Sequence, residues 1–373
     1  MAKHRAPDPT PFARGYSMPA EWEPHAATWL AWPHEKSDWP GKFRAIPWVV
    51  AEMARVLTQA ERVRILVRGH GDLERARRTL RTSGVDMKQI DFVRARTDRS
   101  WTRDFLPIFV TRDGGEKKKS KKSKRRLAAV SFRFDGWKRY DNHRHDRRAG
   151  RKVAEWVETT VFEPVVTLGK KHRQVVLEGG AIDVDGDGTL LATEECLLDG
   201  KTARNPELGR PLTEQILRDY LGAEKVIWLG RGIVGDDTGG HIDDFARFVA
   251  PGRVVLAQEK NSRDPNYRIL AEARERLEGA RDAHGRGIEV IHLPMPAPVV
   301  FDRLRLPASY ANFYVGTGSV IVPTFDDSAD RRALGTIAEC FPDREVVGIH
   351  ARDFVLGLGT LHCATMQEPL GKP

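Results

Sequence analysis

Between residues 105 and 349 the same order of elements, strand, strand, helix, strand, returns four times. Apolar, β-branched and aromatic runs at 105–111 and 127–134 are followed by a helical pattern at 147–159 and a strand at 161–168. In the second copy a run at 174–177 leads into 181–184 and 189–192, joined by the turn Asp185-Gly186-Asp187-Gly188, then a helix at 211–221 and a strand at 225–229. The third sets 245–250 and 254–257 around Pro251-Gly252-Arg253, with a helix at 266–278 and a strand at 288–293. The fourth sets 312–315 and 319–323 around Gly316-Thr317-Gly318, with a helix at 329–340 and a strand at 345–349. The two ends of the chain supply a fifth, split copy: strand 27–32, helix 47–61 and strand 64–67, with 363–366 pairing back. Tight hairpins argue against a three-layer doubly wound sheet, because parallel strands need long crossovers. A repeated unit whose two ends share one module is how propellers close. The expectation is an α/β fold in one domain spanning 1–373, a five-module pseudosymmetric propeller of ββαβ repeats.

Composition excludes several alternatives. With 40% hydrophobic and 30% charged residues, a chain of 373 can bury a large core. No apolar run approaches the roughly 20 residues of a membrane helix, and the polar, proline-bearing first 15 residues predict no secretory leader. Three cysteines, Cys196, Cys340 and Cys363, are an odd count that suits a reducing cytoplasm better than a disulfide framework. Cys196 and Cys340 lie beside apolar residues in predicted helices and are expected as buried, inert thiols.

The formal charge of +9 is uneven. Residues 117–126 read KKKSKKSKRR, and without these eight cations 53 basic residues face 52 acidic ones. The segment is expected at the tip of a hairpin insertion at about 113–126, solvated, with at most an accessory, salt-sensitive contact to a polyanion. Nucleic-acid binding as the main function lacks interleaved aromatics and a recognition-helix pattern.

Strand propensity does not explain the polar clusters at the start of each module: Trp101-Thr102-Arg103-Asp104, Glu178-Gly179-Gly180, His241-Ile242-Asp243-Asp244, Ser309-Tyr310-Ala311-Asn312 and His362-Cys363. In a radial repeat such positions converge on the axis, and the glycines beside them permit close backbone approach. The collected set is a thiol, a histidine and at least three carboxylates around one cavity. A cysteine near a histidine suggests nucleophilic catalysis. Several carboxylates would hold a cation, and a planar guanidinium fits best, since its N–H fork is bound bidentately by carboxylates.

These residues resemble a known family. Glu178-Gly179-Gly180, Asp185-Gly186-Asp187-Gly188-Thr189, Thr193-Glu194-Glu195-Cys196 and the run from Asp237-Thr238-Gly239-Gly240-His241 to Phe248 are similar to the agmatine deiminase and bacterial-type peptidylarginine deiminase family. The similarity runs from Met18-Pro19-Ala20-Glu21-Trp22 to Gly359-Thr360-Leu361-His362-Cys363. The resemblance implies a five-fold pseudosymmetric α/β propeller, Cys363 as nucleophile on the guanidinium carbon, and His241 as the acid and base. It implies Asp104 and Asp243 as grips on the guanidinium nitrogens and Glu178 as a further holder of substrate and of His241. Trp101 and Asn312 join the expected substrate-binding set, and a bound cation with His241 would lower the Cys363 pKa. Agmatine, hydrolysed to N-carbamoylputrescine and ammonia in putrescine and polyamine biosynthesis, is the favoured substrate; peptidylarginine or free arginine, giving citrulline, is the alternative. No metal or organic cofactor is implied, and relatives that process arginine often form homo-oligomers. Gly357-Leu358-Gly359-Thr360 departs from the family's three-glycine run and asparagine, and Leu106 stands where glycine is common.

Two rival motifs remain. Asp183, Asp185, Asp187, Gly188 and Glu194 satisfy the EF-hand loop pattern, but β-rich runs flank them, so a hairpin turn is expected. His241 with Asp243, and His284 with His292, lack further ligands at zinc-site spacing.

Overall fold

The computed structural model describes residues 2–4, 9–113 and 125–372. Five sheets repeat one pattern: two antiparallel strands, a helical crossover, then a third strand parallel to the second. In chain order the pairs are Ile108–Arg112 with Arg126–Val130, Ile182–Val184 with Thr189–Thr193, Ala246–Ala250 with Arg253–Gln258, and Tyr314–Val315 with Ser319–Thr324. Helices Arg144–Trp156, Gly209–Leu221, Pro265–Glu278 and Asp330–Cys340 lead to the parallel strands Thr160–Phe162, Lys225–Leu229, Glu289–Pro294 and Glu345–His350. The split copy forms with its closing strand three residues later than expected, Met366–Pro369 pairing antiparallel with His25–Ala31, which runs parallel to Arg62–Val67. Among the described residues the strands form separate small sheets, not one doubly wound sheet.

The helices form where apolar residues recur at helical spacing. In Ile46–Leu57, Ile46, Val50, Met53, Ala54 and Leu57 are buried along one face, and each large side chain so buried stabilises the fold by about 1.5–3 kcal/mol. Asp264 caps Pro265–Glu278 by accepting from the Asn266 N–H at 2.9 Å, with proline in the first turn.

Three expectations shift. The run at 161–168 divides, because Pro164 has no N–H to give a ladder. Thr160–Phe162 stays in the first sheet, while Val165–Leu168 pairs with Lys171–Gln174 and Ala2–His4 in a separate one. The strand expected at 174–177 therefore falls earlier. Helix His70–Thr82 and strand Ile90–Arg94, unread in the sequence, add a fourth strand to the split sheet. Residues 105–111 begin with a helical turn, Thr102–Phe105, before the strand starts beyond Pro107.

The EF-hand-like segment is a hairpin. Asp185 accepts from the N–H groups of Asp187 and Thr189 at 2.8 and 2.9 Å. Asp183 is spent on Arg247 Nε at 2.9 Å and the Phe248 N–H at 2.6 Å, which leaves no cation cage. The expected basic tip falls mostly on residues 114–124, outside the described residues, although the strands flanking it pair. No helix among the described residues is long and apolar enough to cross a membrane.

Buried ion pairs tie the sheets together. Glu21 Oε1 accepts from Arg247 Nη2 at 2.9 Å and the Val315 N–H at 2.8 Å; Oε2 meets Arg103 Nη2 and His362 Nε2, each at 2.9 Å. Burial alone would raise its pKa, but Arg247, His362 and Arg103 hold it well below the ordinary carboxylate range. Arg247 also donates to Asp183 and to the Phe313 carbonyl. Removing one partner from such a network leaves buried charge unpaired, so Glu21→Gln should cost about 3–5 kcal/mol. Urea unfolding at neutral pH checks this. The Glu21 contribution is complete above the unfolded carboxylate value and is lost as pH falls through the depressed folded one, so the difference between wild type and variant should shrink on acidification. An equal difference at every pH would contradict the assignment.

Candidate active site

The polar clusters opening the five sheets meet in a closed cycle. Asp104 Oδ1 accepts from the Gly180 N–H at 3.1 Å, and Glu178 Oε2 lies 3.9 Å from His241 Nε2. Asn312 Nδ2 donates to Asp244 Oδ1 at 3.1 Å, the Asn312 carbonyl accepts from the His362 N–H at 3.1 Å, and the Cys363 carbonyl accepts from the Arg103 N–H at 3.1 Å. Every chemical group expected at the centre is therefore brought together: Cys363, His241, Asp104, Glu178 and Asp243 are all buried in it. Gly180 admits this crowding, since a Cβ there would stand 2.6 Å from His241 Nδ1 and 2.9 Å from Asp104 Oδ1.

The Cys363 thiol points at Asp243 Oδ2, 3.6 Å away, and accepts from Asn312 Nδ2 at 3.1 Å. Burial, then Asp243, Asp244 and Asp104, push its pKa well above that of a free thiol. Without a bound cation the sulfur is held as a thiol; the lowering expected from a bound cation with His241 concerns the occupied site. His241 shows the converse: burial opposes its charge, but Asp104 and its other anionic neighbours raise it well above the ordinary imidazole value. Its Nδ1 faces Asp104 Oδ1 at 3.9 Å and Asp243 Oδ1 at 4.0 Å.

The carboxylates differ by their partners. Asp104 is pushed up to about 6, chiefly by burial, against the opposing charge of His241 and with Asp243 and Glu178 adding to the rise. Its Oδ2 accepts from the Trp137 indole N–H at 2.9 Å. Glu178 is buried yet lowered, because Arg204 Nε donates to Oε1 at 2.7 Å. Asp243 is likewise held down despite burial by His362, whose Nδ1 is 2.6 Å from Oδ2.

A narrow cleft opens onto this cluster, lined by Asp104, Cys363, Trp101, Trp137, Tyr140 and Asp237 among others. Asp237 accepts from the Tyr140 hydroxyl at 2.5 Å. Two carboxylates, Asp104 and Asp237, thus line one cavity that a thiol also reaches.

The chain matches the model of the Porphyromonas-type peptidyl-arginine deiminase family over residues 17–369. It belongs to this family. It is 35% identical to an agmatine deiminase of Pseudomonas aeruginosa, over 97% of this chain and 98% of that one, and 36% identical to one of Pseudomonas putida, over 96% and 97%. Among solved structures it is similar to the agmatine deiminase of Enterococcus faecalis, with TM-score 0.85 and 30% identity over 98% of this chain and 99% of that one.

As a member of this deiminase family the chain carries several groups that its sequence did not single out. Trp137 has no spacing signal; it reaches Asp104 because the turn at 136–138 takes positive φ throughout. Arg204 lies in the crossover of the second module, between Thr189–Thr193 and Gly209–Leu221, and His362, named in the closing polar cluster, is given no role of its own by the sequence. Trp101 does wall the cavity, packed on Trp39 and Phe354. Asn312, expected against substrate, instead has its polar atoms engaged by protein: the amide on Asp244 and Cys363, and Oδ1 on the Thr360 hydroxyl at 2.6 Å. Leu358 takes the left-handed region (φ +67°) in the glycine-poor stretch and lines the cavity. Cys196, expected inert among apolar residues, is buried beside Glu178 and His241, while Cys340 is half-buried elsewhere. His284 pairs with exposed Asp187 at 3.0 Å, away from the cluster.

The Trp137 N–H favours the charged form of Asp104, so Trp137→Phe should raise the Asp104 pKa above about 6. Carbon NMR of the carboxyl through a pH titration checks this, and a fall on substitution would overturn the contact.

Proposed function

We propose that this chain is an agmatine deiminase, hydrolysing the guanidinium of agmatine to N-carbamoylputrescine and ammonia through a covalent Cys363 thiouronium. The observation that carries this reading is the cavity with carboxylates at two positions. Asp104, beside Asp243 and the Cys363 thiol, suits a guanidinium; Asp237 suits the ammonium at the other end of the same molecule. A free α-carboxylate would meet Asp237 as a like charge. Arg99 lines the cavity too, but its guanidinium is engaged by Asp38 and Asn142 and stacked on Tyr140.

Chemistry follows from the electrostatics. The buried acidic cluster keeps Cys363 protonated until a cation arrives; the guanidinium offsets those charges, and the thiol proton passes to solvent as the cation docks. Thiolate attack on the guanidinium carbon forms the C–S bond and a tetrahedral centre whose nitrogens Asp104 and Asp243 hold. His241, charged in the empty site, gives its proton to the departing ammonia. Now neutral, it takes a proton from water as that water attacks the thiouronium. Collapse of the second tetrahedral centre breaks the C–S bond, and its hydroxyl proton passes to the departing sulfur, restoring the Cys363 thiol and leaving the neutral ureido product. Glu178, anchored by Arg204, orients His241; Asn312 holds Cys363 in place as a positioning residue. The closed cycle of five clusters supports arrangement of the five sheets as a single-domain propeller around this site.

Ammonia release should be detected with agmatine and be much weaker with free arginine or a peptidylarginine; no turnover of any of the three would sink the enzyme assignment. Cys363→Ala should abolish turnover with the fold intact. Asp237→Asn should raise KM for agmatine about 10- to 100-fold, the worth of a charge-assisted contact, with a small effect on arginine; an unchanged KM would remove Asp237 from the substrate site. Since binding needs the Asp104 carboxylate, kcat/KM should fall as pH drops through about 6. A profile flat through that value would contradict its role.

A further inference from the structure

We propose that Glu178, Cys196 and His241 form a site for a thiophilic divalent cation such as Zn²⁺, on the opposite side of the His241 ring from the guanidinium grips. One ligand atom from each residue lies within 4.8 Å of the others, and all three residues are buried. His241 Nε2 and Glu178 Oε2 face each other at 3.9 Å on side chains 1% and 0% exposed, and neither makes a hydrogen bond of ordinary length, whereas buried polar atoms usually do. A carboxylate oxygen and an imidazole nitrogen that becomes a donor once its proton leaves converge beside a thiol, the set that zinc takes: imidazole, carboxylate and thiolate at about 2.0–2.3 Å, with water in a fourth position. Such bonds set tetrahedral ligands roughly 3.3–3.8 Å apart, so closure asks for small movements.

Neighbouring contacts hold these groups in place. Arg204 Nε occupies Glu178 Oε1, leaving Oε2 as the single presented oxygen. Thr193 Oγ1 accepts from the Cys196 N–H at 3.1 Å and donates to the carbonyl of Gly240, the residue before His241, at 2.5 Å, joining the two ligand-bearing segments. The other close trio, Asp243, Asp244 and Cys363, is less available, because Asn312 Nδ2 donates to Asp244 and Cys363 and His362 occupies Asp243 Oδ2.

Binding releases the Cys196 thiol proton and the Nε2 proton of the imidazolium, and the metal takes both lone pairs. A metal-held His241 keeps its Nδ1 proton and can give it up only by becoming an imidazolate, so it no longer cycles between acid and base near neutral pH, while Asp104 and Asp243 still face the cavity. The ion is therefore an inhibitor that lowers kcat and leaves KM nearly unchanged. That consequence rests on the deiminase assignment; the binding site does not.

The test titrates the full chain with Co²⁺, a spectroscopic substitute for Zn²⁺, in wild type, Cys363→Ser, Cys340→Ser and Cys196→Ser. A thiolate-to-cobalt absorption with strong tetrahedral visible bands, displaced by Zn²⁺, is expected in the first three and absent from Cys196→Ser. Its absence from wild type, or its loss in Cys363→Ser or Cys340→Ser, overturns the proposal even if Cys196→Ser fails to fold. On agmatine, each protein compared with its own metal-free rate, Zn²⁺ should depress kcat in wild type, and Cys196→Ser should need at least tenfold more; equal sensitivity overturns the proposal. Failure to turn over any guanidino compound would count against the assigned reaction, and the cobalt spectrum would still decide the site.

Discussion

A carboxylate near the N-terminus organises the centre of the molecule. Glu21 receives Arg103 from the turn before the first sheet, Arg247 from a strand of the third, the Val315 N–H from the fourth and His362 from the turn before the closing strand. Buried charge is tolerable only when nearly every lone pair is met, so this carboxylate admits one arrangement of four segments. Arg247 extends the network to Asp183 in the second sheet. The geometry that sets Cys363 beside Asp243 follows, because His362 bridges Glu21 and Asp243 with its two ring nitrogens.

Beyond this network the cluster is strongly acidic. Asp104, Glu178, Asp243 and Asp244 lie in the interior, and the energetic result is opposite for sulfur and imidazole: the thiol is discouraged from ionising and His241 is encouraged to stay charged. A cation entering the cavity reverses the first effect while leaving a proton donor in place. Under the proposed reaction, substrate charge is thus part of the activation of the nucleophile, and a neutral isostere would leave the sulfur protonated. Of the eight cations of 117–126 that carry the excess positive charge, six lie outside the described residues, while Arg125 pairs with Glu23 and Arg126 opens a strand.

Much of the architecture was legible because it is written in local pattern. Strand, turn and helix signals are short-range, and the repeat order followed from hairpin turns such as 185–188 and apolar faces such as that of Ile46–Leu57. Misreadings also have local causes: Pro164 divided an apolar run, and the polar helix His70–Thr82, which buries only Asp72, Ala76 and Leu80, offered little apolar periodicity. The groups at the centre were visible as polar residues where strand propensity predicts apolar ones.

Sequence alone determined the order of modules, the family, and the identity of the groups carried to the centre, since these depend on near neighbours and on residue chemistry. Tertiary structure decided which partner each group has. Trp137 on Asp104, Arg204 on Glu178, Glu21 on His362 and Cys196 beside His241 join residues separated by 26 to 341 positions, and no spacing rule reaches that far. Burial and the charged groups assembled at the centre set the charge states of Asp104, Cys363 and His241, because in a buried site ionisation is governed by the few atoms in contact and by exclusion of water.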